Sequence, residues 1–178
     1  EDLFAPPLIS ARRRSFWLGI NLLTAIFASI VIGVFEATIE EIVALAILMP
    51  IVASMGGIAG TQTATIVIRA LATGKLGSRN RRSLIWKETS VGGFNGLFWA
   101  TLTGLTAGLW FQDPVLGLIF AAAMLINLTA ASLAGALIPL ILQKMKIDPA
   151  LASGLMLTTV TDSLGFFVFL GLATVILI

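Results

Sequence analysis

The sequence predicts an all-α, polytopic membrane protein with five transmembrane helices, the N-terminus cytoplasmic and the C-terminus outside. Three observations carry that expectation. Hydrophobic residues make up 58% of the 178 positions and charged residues 11%, against about 45–50% and about 25% in soluble proteins. The charge is gathered into short stretches, and the apolar runs between them match the roughly 20 residues a helix needs to cross about 30 Å of hydrocarbon. Finally, the Lys and Arg fall only in regions that five crossings place on one face of the membrane.

The spans follow in order. Residues 1–15 read as a cytoplasmic linker leading into the membrane part, which occupies 16–178. Its first 12 positions are polar or proline-bearing and no Met precedes Glu1, which suggests a membrane portion of a longer chain. Span one covers about 16–35, and it is too long for a signal peptide and has no small-residue cleavage site after it. Span two covers 42–71, span three 91–111, span four 115–142 and span five 149–178. Short connections separate them, except for the basic stretch Ala72–Ser90.

Arg12, Arg13 and Arg14 precede span one, six cations from Arg69 to Lys87 lie between spans two and three, and Lys144 and Lys146 lie between spans four and five. Five crossings put all three groups on the same side, and the positive-inside rule makes that side the cytoplasm. Topology and headgroup contact account for these cations without nucleic acid. The opposite loops carry Glu36, Glu40, Glu41 and Asp113.

The zero counts exclude further classes. With no Cys, His or Tyr, the chain has no thiolate, no imidazole ligand and no neutral-pH acid–base residue. Nucleophile–base pairs are missing, so no enzyme activity is expected.

Two spans carry features that a plain bundle does not need. Span two contains Met49-Pro50-Ile51-Val52-Ala53-Ser54-Met55-Gly56-Gly57-Ile58-Ala59-Gly60-Thr61-Gln62. Pro50 should kink the helix, and Gly56, Gly57 and Gly60 permit close approach of a neighbour. A tightly packed kinked helix and a pore-lining helix both fit, since irregular backbone is tolerated where protein or water re-satisfies it. Span three carries Gly92, Gly96, Ala100, Gly104 and Gly108, a small-residue ridge for helix packing. Asn95 and Asn127 are expected to hydrogen-bond across helices.

Span five opens with Asp148 as N-cap and Pro149 in the first turn. Asp162 follows 14 positions after Asp148, about 21 Å along the axis and near mid-membrane. Gly154, Thr158 and Asp162 are spaced by four and share one face. A carboxylate at that depth costs about 2.5–3.5 kcal/mol and should face protein or water. A protonated structural Asp and a proton relay are open readings; a cation site fits better because the cation supplies the missing charge. All the ligands on offer are oxygens, which suit hard cations such as Mg²⁺, commonly held through its waters by one or two carboxylates.

At these residues the chain resembles the MgtE family of magnesium channels, relatives of the eukaryotic SLC41 carriers. The matching segments are Pro50 through Gln62, Lys87-Glu88 with Val91-Gly92 and Asn95-Gly96, and Asp148 through Phe167, whose Thr-Thr-Val-Thr-Asp-Ser-Leu-Gly-Phe core is the most specific. The resemblance implies a multi-pass protein of the bacterial plasma membrane. It implies a homodimer whose pore is lined by spans two and five, through Pro50, Gly56, Gly57, Gly60 and Thr159. It implies Mg²⁺ recognised by Asp162 with carbonyls near Thr158 and Gly154 one and two turns below, other divalents being further candidate cargo. It also implies cytoplasmic regulatory domains outside this sequence. One departure stands out: Ile58 occupies the position where the family usually has Asn. A Na⁺-coupled Mg²⁺ exchanger of the SLC41 type and a non-transporting scaffold dimerising through the span-three ridge are the competing expectations.

Overall fold

The computed structural model describes residues 6–77 and 79–178, so residues 1–5 of the expected linker lie outside the described residues. Six helices follow one another among them: α1 (Pro7–Gly33), α2 (Glu36–Glu41), α3 (Ala44–Ala72), α4 (Arg81–Trp110), α5 (Pro114–Lys144) and α6 (Pro149–Leu177). The chain is an all-helical membrane protein. Among the described residues four helical stretches are long and apolar enough to cross a membrane: Pro7–Gly33, Ala44–Ala72, Pro114–Lys144 and Ala152–Leu177. Five helices are long among the described residues, and four of them reach the apolarity expected of all five spans. The outlier is α4, which opens on Arg81, Arg82, Lys87 and Glu88 and continues through Asn95 and several Thr and Gly.

Three boundaries differ from the sequence expectation. Helix α1 begins at Pro7, well before residue 16, because Pro at the first turn and the Ala-Arg-Arg-Arg run that follows favour helix. Helix α4 begins at Arg81 instead of residue 91, since charged residues end a hydrophobic run without ending a helix. The acidic loop at Glu36–Glu41 is a one-turn helix, and Thr38 Oγ1 lies 2.8 Å from Thr174 Oγ1 of α6. Pro50 does not break α3, which is helical from Ala44 to Ala72.

The helix starts at α5 and α6 are set as their sequences require. Asp113 accepts hydrogen bonds from the Val115 and Leu116 amides at 2.9 and 3.1 Å, and Pro114 follows it. Asp148 accepts from the Ala150 amide at 2.9 Å, ahead of Pro149. Each cap satisfies an amide that the helix itself leaves orphaned.

Helix α5 is the centre of the molecule, packed by α3, α4 and α6. One buried cluster of the core joins Leu45, Leu48 and Val52 of α3, Phe120 and Met124 of α5, and Phe169 of α6. The Phe120 and Phe169 rings stand 5.3 Å apart. The small-residue ridge of α4 is used within the chain: Gly92 abuts Ser132, Gly96 abuts Leu125 and Gly104 abuts Ala121. That corrects the scaffold expectation, which needed the ridge for a second copy. Without a hydrophobic drive between helices in lipid, close backbone packing of this kind supplies the association energy.

Asn127 is fully buried, and its Nδ2 donates to the Val52 carbonyl at 2.9 Å, joining α5 to α3. Among the described residues its Oδ1 has no partner, and both Gly56 and Gly165 press against the amide. Asn127→Asp removes the donor and leaves a carboxylate with no cation, so it should destabilise the fold by about 3 kcal/mol. Asn127→Ala should cost less. Thermal unfolding of the two variants in detergent tests the order; equal losses would show that Asn127 acts through bulk alone.

Candidate functional site

Helix α6 separates a buried stripe from an open face. Ala152, Leu157, Thr161, Gly165 and Phe169 are buried, while Gly154 and Thr158 are exposed and Thr159 and Asp162 are half-buried. The spacing of four found in the sequence therefore does put Gly154, Thr158 and Asp162 on the open side of the helix. Asp162 lies one turn beyond Thr158, about 6 Å along the axis. Among the described residues it has no hydrogen bond and no basic partner.

Thr158 is where two grooves meet. One, of about 670 Å³, runs along α3 and is lined by Gly57, Ile58, Thr61, Gln62, Thr65 and Ile66 together with Thr158. The other, of about 490 Å³, lies between α1 and α6, where Asn21 and Trp17 face Gly154, Leu155 and Thr158. The structure thus brings Gly57, Thr158 and Gly154 to one open surface.

The other named residues fall elsewhere. Gly56 and Gly60 are buried and face inward, Gly56 against Asn127 and Gly60 against Leu157. A side chain there would push α3 off α5 and α6, so both support the groove from behind. Pro50 is exposed two turns before Gly57. Thr159 turns its hydroxyl to the Leu155 carbonyl at 2.9 Å.

The groove has a distinctive polarity. Thr61 Oγ1 donates to the Gly57 carbonyl at 2.7 Å, Thr65 Oγ1 to Thr61 O at 2.8 Å, and Thr158 Oγ1 to Gly154 O at 2.9 Å. A hydroxyl has one donor and two acceptor lone pairs. With the donor spent on its own helix, each threonine presents acceptor oxygen outward. Such a surface suits a cation or the water protons of a hydrated cation. Among the described residues there is no group of three or more His, Cys, Asp or Glu that could hold a metal ion.

Thr61 and Thr65 were missed as individual residues in the sequence. Their signal is the repeat Gly57, Thr61, Thr65 at intervals of four, which mirrors Gly154, Thr158, Asp162 on α6. Asn21 carried no signal, because its role depends on α1 lying against α6.

A family model described as a divalent cation transporter, MgtE, matches residues 49–172. The chain is also similar to three proteins named magnesium transporter MgtE. It is 34% identical to that of Bacillus subtilis over 166 residues, 93% of this chain and 37% of the relative. It is 35% identical to that of Thermus thermophilus over 175 residues, 97% of this chain and 38% of the relative. It is 32% identical to that of Enterococcus faecalis over 178 residues, 98% of this chain and 38% of the relative. The chain therefore spans between 37% and 38% of the length of the curated relatives it matches.

Proposed function

This chain belongs to the MgtE family of divalent cation transporters, and we propose that it forms the ion path of a magnesium channel. Hydrated Mg²⁺ passes down its electrochemical gradient, and no chemistry on the ion is required. A membrane potential favours entry of a divalent ion by about 4.6 kcal/mol per 100 mV, twice the value for one charge.

The observation that carries the reading is the acceptor-faced groove of α3 meeting Thr158 one turn from the unpaired Asp162. Acceptor oxygens hold the water protons of the ion, and the carboxylate supplies the charge. Mg²⁺ releases water reluctantly and needs one or two carboxylates; one Asp162 from each of two copies meets that need. The path is then a dimer axis lined by α3 and α6, with Pro50, Gly57 and Thr159 along it and Gly56 and Gly60 behind it. Ile58 is 57% exposed on the groove, an apolar wall where the family usually offers an amide.

All five long helices cross the membrane in this reading. Helix α4 packs beside α5 from Gly92–Ser132 to Gly104–Ala121, so it is carried across with its apolar partner. The N-terminus is then cytoplasmic and the C-terminus outside.

Two measurements test the proposal. Mg²⁺ influx into proteoliposomes should proceed without any Na⁺ gradient; influx that appears only with an opposing Na⁺ gradient would replace the channel by an exchanger. Cys introduced at position 162 should cross-link two copies in a dimeric sample, and consistent failure would remove Asp162 from the axis.

A further inference from the structure

Glu88 stands apart from this path. It lies seven positions into α4 beyond Arg81, about 10 Å along the axis, yet it is only 3% exposed. A cavity of about 80 Å³ adjoins it, at the junction of α3, α4 and α5, and its polar lining is Glu88, Gln62, Thr63, Asn95 and Ser132. Thr63 and Ser132 are buried with it, at 5% and 4% exposure. Gln62 and Asn95 are exposed; among the described residues the buried Glu88, Thr63 and Ser132 side chains have no hydrogen-bond partner. Among the described residues the ion pair of Glu88 is with the Lys87 ammonium at 3.8 Å, and the Lys87 side chain is 71% exposed.

That arrangement is unlike a structural ion pair. An exposed ammonium at this distance is screened by solvent and contributes little. It does not offset the cost of taking a carboxylate out of water, which requires close geometry and further hydrogen bonds. Three helices instead converge hydroxyls, amide oxygens and one carboxylate on a single small chamber. All the acceptors are hard oxygens, which suit alkali and alkaline-earth ions over softer metals.

We propose that the Glu88 chamber is a binding site for a monovalent hard cation, of which Na⁺ is the probe, held by the Glu88 carboxylate with Thr63, Ser132, Gln62 and Asn95. The charge balance selects the valence. One carboxylate neutralises one positive charge, and a divalent ion would leave more positive charge unbalanced beside the Lys87 ammonium. The chamber also adjoins the α3 groove, because Gln62 and Ile66 line both. Occupancy therefore acts on the same helix that carries Thr61 and Thr65. The site does not depend on the Mg²⁺ reading, and its readout is binding instead of flux.

The test is ²²Na⁺ binding to the full-length protein in lipid nanodiscs, titrated against choline at constant ionic strength. One Na⁺ per chain is expected, with Glu88→Gln weakening it by about tenfold or more. Thr63→Val and Ser132→Ala should each weaken it several-fold. Lys87→Gln should strengthen it by removing a competing positive charge; a purely structural Glu88–Lys87 pair would show lower thermal stability and no gain in binding. Asp162→Asn should leave Na⁺ binding in place. The proposal is overturned by no Na⁺ binding in the unmodified protein, by Glu88→Gln binding as tightly as the original, or by loss confined to Asp162→Asn. It is also overturned if Mg²⁺ displaces Na⁺ with equal strength in the Asp162→Asn variant. Should Glu88→Gln fail to fold, unchanged binding in both Thr63→Val and Ser132→Ala overturns it.

Discussion

Asp162→Asn should reduce Mg²⁺ influx at sub-millimolar external Mg²⁺ by about tenfold or more. The substitution keeps the size and an acceptor oxygen and removes only the charge. A carboxylate and a divalent ion about 4.5 Å apart across one water interact by about 7 kcal/mol at an effective dielectric of 20. If a fifth of that survives competition with bulk water, the loss is about 1.4 kcal/mol, which is tenfold. The effect should fade as external Mg²⁺ rises, because the lost charge concentrates the ion at the site. Discrimination against monovalent ions should fall with it, since carboxylate attraction scales with the valence of the ion. Asp162→Glu should retain more influx than Asp162→Asn. Influx equal to the unmodified protein across the concentration range would show that Asp162 is not the recognising group.

Gly135→Ala should destabilise the protein strongly for so small a change. A Cβ at this position meets the Gly60 carbonyl oxygen, Thr63 Cβ at 3.0 Å and the Ala64 amide nitrogen at 3.2 Å. Two of these atoms are backbone of α3, so no rotamer change relieves the contact. Overpacking of that kind costs about 1–3 kcal/mol, more than the roughly 1 kcal/mol that Ala gains over Gly in a helix. Moving α3 also moves the groove on its far side, so Mg²⁺ influx should fall together with thermal stability. Gly57→Ala is the control for sign. Among the described residues nothing lies within 4 Å of a Cβ there, so helix propensity acts and the melting temperature should rise slightly. Equal melting temperatures for the two variants would refute the close α3–α5 approach.

The helices were legible because their signals are local. Apolar length marked five spans, four of which match helices long and apolar enough to cross a membrane, and Asp148-Pro149 marked a helix start that the cap bears out. The ends of α1 and α4 were misplaced for one reason. A hydropathy window detects where lipid contact stops, and a helix continues into the headgroup region on Arg, Lys and Glu. The Gly154, Thr158, Asp162 stripe was legible because a spacing of four is fixed by the helix itself.

The amino-acid sequence alone was enough for the class of protein, the order of its apolar helices, the Asp148 cap of α6 and the shared face of Gly154, Thr158 and Asp162. These follow from composition and from interactions within a few residues. Which way each helix faces depends on how the helices pack. Lipid is as apolar as the protein core, so a membrane helix carries no strong amphipathic pattern to mark its inward side. Gly56, Gly57 and Gly60 read alike in sequence, yet two support packing and one opens on the groove. Glu88 reads as one more charge of a basic connection, and it is buried because α3 and α5, distant in sequence, close over it.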